Sequence, residues 1–375
     1  MRRRLLPVLA TLLMFVAACS DERQDIWSPE GQSARELTGV QWFIFIAAYV
    51  VGALVALAFV VAVVRYRARG RRRGERSDPI QVHGNFRLEI AWTILPAAIL
   101  AVVAVISVPT IFAITGAEAS DEQTFDVTVY GHQWWWSYEY DVDRDGETDI
   151  ETANDLVIPA GIPIEVKLES RDVIHSFWVP SLAGTLDVVP GRTHDMVLEA
   201  DEPGVFDGQC KEYCGLSHAY MRLRVVALSE SEFATWLDQQ QDEWTEPSDP
   251  QALAGRDTFL TYCVSCHVIR GLEDADGQPA APDPDTIELI NGHAPDLTHL
   301  MSRGVFASGM LELYDDEGNL NRPDLEQWIR DPDSLVPMSP DSEQGMPTLG
   351  LSEQEIDQLV IFLQTLGEPP PGAEQ

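Results

Sequence analysis

The chain has 375 residues, which is long enough for two or three domains with separate hydrophobic cores. Its 60 acidic residues outnumber its 25 basic residues and give a formal net charge of −35, which argues against nucleic-acid binding through a basic surface. Lys167 and Lys211 are the only lysines; such an acidic surface suits concentrated salt, a basic partner, or simple solvation with no partner.

The N-terminus predicts export. Residues 1–18 carry three arginines, an apolar stretch and then small residues, which is the layout of an export signal. Cys19 follows Val16-Ala17-Ala18, a sequence similar to the lipobox of bacterial lipoproteins, in which the cysteine is lipidated. An ordinary export signal is the alternative, but lipidation gives Cys19 a use in an exported protein.

Two apolar runs, residues 40–64 and 90–115, predict a transmembrane hairpin. Neither contains a charged residue, and each is long enough to cross a bilayer. The loop between them is rich in arginine, which marks it as cytoplasmic. Both ends of the hairpin therefore lie outside, which predicts a two-pass protein of the bacterial cell membrane with its globular domains on the periplasmic or extracellular side.

Residues 124–228 predict an all-β domain. Apolar and polar residues alternate at 125–129 and 164–168, and proline–glycine turn signals divide the region into short segments, as in a sandwich or barrel. A short helix and a linker are predicted at residues 229–252.

A helical domain is predicted at residues 253–368, followed by a disordered tail at 369–375. Its last helix opens with the capping-box pair Ser352 and Glu355. The same helix places four apolar residues on one face: Ile356, Leu359, Val360 and Leu363.

The segment from Cys210 to Met221 is the first candidate metal site. It offers Cys210, Cys214, His218 and Met221 within twelve residues. Soft sulfur with imidazole selects copper, with zinc as the main rival, and a thioether is a poor zinc ligand. A Cys210–Cys214 disulfide is the structural alternative, but it leaves the other donors unexplained. His175, at the end of a predicted strand, offers a second imidazole.

These features together resemble subunit II of the haem–copper oxidases. The resemblance rests on the hairpin, the aromatic run from Gly131 to Tyr140, the His175 segment and the cysteine loop. It implies a cupredoxin-like barrel holding the binuclear copper A centre, with two copper ions. The implied ligands are the side chains of His175, Cys210, Cys214, His218 and Met221, together with the backbone carbonyl of Glu212.

The resemblance implies further roles in the same region. The Glu212 side chain matches a position that reaches a magnesium or manganese ion shared with subunit I, and Asp187 lies near it. Trp134 matches an exposed tryptophan through which electrons enter; core packing is the alternative for its neighbours. Glu89 matches the mouth of a proton channel shared with subunit I, or it is a helix-start carboxylate stabilised by the helix dipole.

Cys263-Val264-Ser265-Cys266-His267 has the form of a c-type haem attachment site. Two cysteines form thioethers, and the adjacent histidine ligates the iron. Met346, just before the last helix, is the predicted second axial ligand, with Met338 as the alternative. The arrangement resembles an all-α class I cytochrome c domain, and residues 294–298 resemble the haem-side loop of cytochromes fused to subunit II. A zinc or redox CxxC site is the other interpretation.

A weaker metal signal begins at Asp141. Residues 141–146 start like a calcium loop, but Thr152 stands where the last glutamate is required. A solvated hairpin loop is the preferred interpretation.

The combined resemblance is to the caa-type oxidases. It implies that a cytochrome c or similar small donor reduces the chain's own haem c, and that electrons pass through copper A to subunit I, where oxygen is reduced to water with proton pumping. The implied partners are subunits I and III and membrane lipid. A copper A subunit of a nitric oxide reductase and a membrane-tethered carrier without an oxidase remain alternatives, whereas the copper ligands disfavour a quinol oxidase.

Overall fold

The computed structural model describes residues 24–66, 84–280, 294–338 and 345–370. The predicted export signal at residues 1–18, the predicted lipid site at Cys19 and most of the arginine-rich loop lie outside the described residues. So do the last five residues of the predicted tail.

Two long apolar helices come first among the described residues. α1 spans Gln32–Tyr66 and α2 spans Phe86–Thr115. Each is long and apolar enough to cross a membrane, and none of its most apolar stretch is buried within the chain. The predicted runs at 40–64 and 90–115 fall inside these helices, so the two predicted apolar helices are confirmed.

Ten strands between Asp126 and Leu228 form the β-domain, as predicted for residues 124–228. Their bounds are β1 Asp126–His132, β2 Trp135–Asp141, β3 Ile150–Ala153, β4 Asp155–Pro159, β5 Ile164–Ser170, β6 His175–Phe177, β7 Leu186–Val188, β8 His194–Leu198, β9 Gly204–Gln209 and β10 Arg222–Leu228.

The β-domain encloses one aromatic-rich core between its sheets. A five-stranded sheet has the order β3-β2-β1-β5-β8, a three-stranded sheet has the order β4-β10-β9, and β6 pairs with β7. Burial alternates along β1 and β10, as expected for strands with one face on the core. Trp136, Tyr138 and Tyr140 are fully buried there, and the Tyr140 hydroxyl donates to the Val157 carbonyl at 2.8 Å.

The predicted short helix after the β-domain is confirmed. α3 spans Glu230–Gln240 and opens with a capping box formed by Ser229 and Glu232. It is amphipathic and buries Phe233 and Trp236 on the β-domain core, where the Phe233 ring centroid lies 5.1 Å from that of Phe125. The next helix begins at Pro250, so the linker ends slightly before the predicted boundary at 252.

The described part of the C-terminal domain consists of residues 250–280, 294–338 and 345–370. Its helices there are α4 Pro250–Tyr262, α5 Arg322–Arg330 and α6 Glu353–Leu363, with single 3-10 turns at Leu300–Ser302 and Pro332–Ser334. The Ser352–Glu355 capping box is present, and the four predicted apolar residues of α6 are buried. The all-α expectation needs correction, because β11 Val305–Phe306 pairs with β12 Leu311–Glu312. Ala307, Ser308 and Gly309 have positive φ angles, which turn the chain tightly enough for a hairpin.

α4 crosses α6 at a glycine. A Cβ atom added to Gly255 would lie 2.0 Å from the Gln358 carbonyl oxygen and 2.7 Å from the Phe362 Cβ atom. We expect Gly255→Ala to lower the free energy of unfolding of the C-terminal domain by about 1–3 kcal/mol, because the helices must move apart.

Hydrogen exchange of the α4 and α6 amides, measured on the full chain by mass spectrometry, tests this prediction. Asp257→Ala, at an exposed position on the same helix, is the control and should leave the exchange rates nearly unchanged. Equal protection in both variants would contradict the close crossing.

Candidate metal centre

The β-domain brings the two predicted ligand segments together at one end. His175 is the first residue of β6, and the segment from Cys210 to Met221 connects β9 to β10. Two backbone hydrogen bonds fix this loop: Cys210 N–H donates to the Met221 carbonyl at 3.0 Å, and Lys211 N–H donates to the Ser176 carbonyl at 3.1 Å. The loop is therefore closed at its ends and held beside the histidine strand.

All six predicted copper-binding groups lie together. The Cys210 Sγ atom lies 3.9 Å from the Cys214 Sγ atom and 4.0 Å from the His175 Nδ1 atom. Cys214 Sγ lies 3.6 Å from the Nδ1 atom of His218 and 3.8 Å from the Sδ atom of Met221. The Glu212 carbonyl oxygen lies 3.2 Å from Cys210 Sγ. Cys210 and Cys214 are free thiols, so the geometry is not that of a disulfide.

The chemistry of this donor set fits copper. His175 and Met221 are fully buried, and both cysteines are at most 5 % exposed. Two sulfurs, two imidazoles and a thioether form a soft, water-poor set of donors, which suits copper. Zinc prefers four strong ligands. Here one of the donors beside Cys214 is the Met221 thioether, which is a poor zinc ligand.

The two thiols differ in acidity because they share a hydrogen bond. The contact with Cys214, supported by His175, lowers the pKa of Cys210 to about 4. The same contact, together with burial, raises the pKa of Cys214. Binding of a metal by two thiolates would require both protons to leave.

Asp172 orients His175, and this role was not foreseen from the sequence. His175 Nε2–H donates to the Asp172 carboxylate at 2.7 Å, which directs the Nδ1 lone pair toward the sulfurs. Burial opposes protonation of the ring, but the hydrogen bonds to Asp172 and Cys210 raise the pKa of His175. Asp172 also accepts the Gln133 backbone N–H at 2.7 Å. The only signal in the sequence is an aspartate three positions before the histidine.

We expect Asp172→Asn to weaken copper binding about 10–100-fold, because a carboxylate partner fixes the tautomer and raises the basicity of a ligating histidine. Titration of the full chain against a competing copper chelator measures the affinity. Asp121→Asn removes an exposed carboxylate elsewhere in the chain and serves as the control. An unchanged affinity in Asp172→Asn would show that the carboxylate has no part in metal binding.

Trp134 contacts the cysteine loop but is not exposed. Its indole N–H donates to the Cys214 carbonyl at 3.1 Å, and the residue is only 5 % exposed. The expectation of an exposed tryptophan at this position is therefore wrong: Gln133, Gly215 and the cysteine loop enclose the ring. Trp136 is part of the core, and Trp135 stacks on His132 with ring centroids 4.2 Å apart.

The remaining predicted residues of this region lie apart from the cluster. The side chains of Glu212 and Asp187 are exposed. Among the described residues, neither belongs to a group of three or more histidine, cysteine or carboxylate side chains close enough to share an ion. Glu89 lies in the first turn of α2 and accepts the Asn85 backbone N–H at 3.2 Å, which is the geometry of a helix-start carboxylate.

Asp141, Asp143 and Asp149 do lie close together. Their oxygens are used locally, however: Asp141 accepts the backbone N–H of Gly146 at 2.8 Å, and Asp149 accepts that of Val142 at 2.7 Å. This pattern agrees with the solvated hairpin loop preferred from the sequence.

The predicted haem-binding residues lie at the end of α4. Cys263 caps the helix, and His267 N–H donates to the Cys263 carbonyl at 2.9 Å. His267 Nδ1–H donates to the Pro295 carbonyl at 2.8 Å, so the Nε2 lone pair is the one left for a metal. Burial lowers the pKa of His267, which keeps the ring neutral as a metal ligand requires.

The two candidate methionines occupy one region of the C-terminal domain. A Cβ atom on Gly345, the residue before Met346, would lie 2.4 Å from the Met338 Sδ atom. Arg303 is 4 % exposed, and its Nε atom has no hydrogen-bond partner among the residues that the structure describes. Electrostatic repulsion by Arg303 contributes to the low pKa of His267. Arg303 also donates to the Asp296 carbonyl, and the carboxylates of Asp296, Asp155 and Glu151 act on its charge.

A cupredoxin-like metal site in a chain with two membrane-length helices defines the class of protein, and comparisons with known proteins identify the family. The family model for the periplasmic domain of cytochrome c oxidase subunit II matches residues 141–228, and the model for its transmembrane domain matches residues 23–110. The "Cytochrome c oxidase subunit 2" of Alkalihalophilus pseudofirmus is 35 % identical over 374 residues, which cover 97 % of this chain and 96 % of that protein.

Two further likenesses are more partial. The "Quinol oxidase subunit 2" of Bacillus anthracis is 30 % identical over 285 residues, or 72 % of this chain and 93 % of that protein. The solved periplasmic domain of subunit II of the cytochrome oxidase of Bradyrhizobium japonicum covers 33 % of this chain and 96 % of its own length, with 29 % identity and a TM-score of 0.30.

The chain belongs to the cytochrome c oxidase subunit II family. It is a subunit of an oxidoreductase complex, and its two apolar helices indicate a two-pass membrane protein. Membership of the family implies a copper A centre in the β-domain and a subunit I partner in the membrane.

Proposed function

We propose that this chain is the electron-entry subunit of a cytochrome c oxidase, with a haem c in the C-terminal domain and copper A in the β-domain. The observation that carries the proposal is the convergence of five sulfur and imidazole side chains and one carbonyl oxygen from two separate segments of the β-domain. Such a donor set at the end of a β-barrel fits copper, and the fold itself does not require these side chains.

The copper ligands of the proposal are His175, Cys210, Glu212 through its carbonyl, Cys214, His218 and Met221. Copper bound there supplies one-electron chemistry with the charge shared between two ions. The residues of the chain supply rigidity: the loop ends are hydrogen-bonded, Asp172 fixes His175, and Trp134 and Gln133 both donate to the Cys214 carbonyl. A fixed, water-poor site requires little rearrangement when its charge changes.

A haem c in this domain would be attached through Cys263 and Cys266 and held by His267 and Met346. Haem bound there supplies a second one-electron site. His267 is held in the correct tautomer by the Pro295 carbonyl. Met338 stays the alternative axial ligand.

The proposed setting is a bacterial cell membrane with both globular domains on the periplasmic or extracellular side. The donor is a cytochrome c or similar small protein, and subunits I and III are partners in oxygen reduction coupled to proton pumping. Trp134 conducts electrons into copper A from its buried position, Glu89 lies at the mouth of a proton channel, and Glu212 with Asp187 contributes to a magnesium or manganese site. Cys19 carries a lipid.

Purification of the tagged full chain from membranes of its host tests the proposal. We expect a larger haem-containing subunit to co-purify and the complex to consume oxygen with reduced cytochrome c as donor. Oxygen consumption with a quinol but not with cytochrome c would instead support the function printed for the Bacillus anthracis relative. Isolation without any large subunit would support a tethered carrier and contradict the proposal.

A further inference from the structure

The C-terminal domain contacts the β-domain through its short hairpin, residues 304–312, which we call the docking hairpin. The Ser308 carbonyl accepts the Arg222 backbone N–H at 2.8 Å. Gly309 has a φ of +75°, and a Cβ atom there would lie 2.7 Å from the Arg222 carbonyl oxygen. The turn of the docking hairpin therefore fits closely against the first residue of β10.

Two charged side chains of the β-domain, buried Asp155 and partly buried Arg224, find partners on the docking hairpin. Asp155 on β4 is 3 % exposed, and its carboxylate accepts the Gly304 backbone N–H. Arg224 lies opposite Asp155 on the neighbouring strand β10. It forms an ion pair with the Glu312 carboxylate, and its Nε atom lies 3.6 Å from the Asp207 Oδ1 atom. A buried charge that loses a partner is costly, so these contacts favour the docked arrangement.

The contact extends to the metal-ligand loop. Ser217 is fully buried, and its hydroxyl donates to the Pro337 carbonyl of the C-terminal domain. Tyr220 packs against the hydrophobic core of that domain. Ser217 directly precedes His218, and Tyr220 directly precedes Met221. The C-terminal domain therefore contacts residues 217–220, directly beside the proposed copper ligands His218 and Met221.

A third set of contacts joins the domains beside the linker. Arg270 of the C-terminal domain donates to the Asp149 carbonyl of the β-domain at 3.1 Å. Trp244, before the linker, is 9 % exposed, and its indole N–H donates to the Thr365 hydroxyl at 3.0 Å. Between this anchored tryptophan and α4, which begins at Pro250, the linker has only five residues, 245–249.

We propose that the C-terminal domain is held in one fixed position on the β-domain, anchored by Asp155 and Glu312, rather than moving freely on its linker. Motion is the default for domains joined by a modest polar interface. Here Asp155, Ser217 and Arg224 of the β-domain each contact a specific group of the C-terminal domain, which selects a single arrangement. One consequence rests on the proposed function: the haem-binding and copper-binding residues stay at a fixed separation.

The test cuts the linker while leaving both domains intact. A protease recognition sequence is inserted between Pro247 and Ser248 of the full chain, which is purified in detergent, cleaved and examined by gel filtration at micromolar concentration. The dissociation constant of the two pieces is then measured by dilution for the parent chain and for Asp155→Asn, Glu312→Gln and Asp195→Asn. Asp195 is exposed on β8 and is the matched control.

We expect the cleaved parent chain to stay together and Asp155→Asn to weaken the association about 5-fold or more, since the charge-assisted bond to the Gly304 N–H becomes a neutral one. Glu312→Gln, on the surface of the other piece, should weaken it without risk to the β-domain fold. Asp195→Asn should match the parent. Separation of the parent pieces would overturn fixed docking, and variants no weaker than Asp195→Asn would overturn the assigned anchors.

The outcome does not depend on copper or haem. The same measurement on chains with and without their cofactors therefore separates docking from the proposed function. Docked pieces in a chain that binds no copper would leave the interface standing while the electron-entry proposal fails.

Discussion

Replacing Cys214 with serine should abolish copper binding, with an affinity loss of at least about 100-fold. Cys214 occupies the centre of the cluster: its sulfur lies within 3.9 Å of Cys210 Sγ, His218 Nδ1 and Met221 Sδ. A serine hydroxyl is a hard, poorly ionised donor that cannot replace a thiolate. Copper content by elemental analysis and the visible spectrum of the full chain measure the loss.

Tyr213→Phe is the matched control for Cys214→Ser. Tyr213 is the neighbouring residue and is 75 % exposed; its ring lies edge-on to His218 with centroids 5.8 Å apart, and phenylalanine keeps that ring. It should retain full copper content. The haem spectrum should be the same in both variants, because the predicted haem residues belong to another domain. Full copper occupancy in Cys214→Ser would contradict the proposed ligand set.

Replacing His267 with alanine should remove the low-spin haem spectrum of the C-terminal domain. His267 is the residue whose Nδ1–H is fixed by the Pro295 carbonyl, which leaves Nε2 for the iron. Without it, one strong axial ligand is lost, whereas Cys263 and Cys266 remain for covalent attachment. Electron delivery from a cytochrome c donor should fall to the background rate, measured by stopped-flow absorbance, while copper content stays unchanged.

His299→Gln controls for the loss of a histidine in the same domain. The His299 ring contacts the Asp242 carbonyl at 3.0 Å and takes no part in the predicted haem site. It should keep the parent haem spectrum. A chain whose His267→Ala variant keeps that spectrum, or loses its copper instead, would show that the two sites were assigned wrongly.

The parts that could be predicted from the sequence depend on local patterns. The uncharged runs at 40–64 and 90–115 require helices, the alternation along β1 and β5 requires strands, and the Ser352–Glu355 box fixes the start of α6. Most of the copper cluster could also be predicted from the sequence, because Cys210, Cys214, His218 and Met221 lie within one loop. His175 needed the family resemblance, since nothing in its own segment shows which loop it faces.

The parts that could not be predicted depend on contacts between distant segments. Asp172 acquires its role only once β6 places His175 beside the cysteines. Trp134 is buried because the Cys214–Gly215 turn folds over its ring, which local sequence does not reveal. The docking hairpin pairs Gly304 with Asp155, almost 150 residues earlier in the chain.

The central claim is that the β-domain holds a pair of copper ions. Elemental analysis of the full chain, combined with electron paramagnetic resonance of its oxidised form, tests it most directly. The account predicts two coppers per chain with one unpaired electron shared between them, and loss of both ions when His175 is replaced. A single zinc ion, or a Cys210–Cys214 disulfide with no metal, would contradict it.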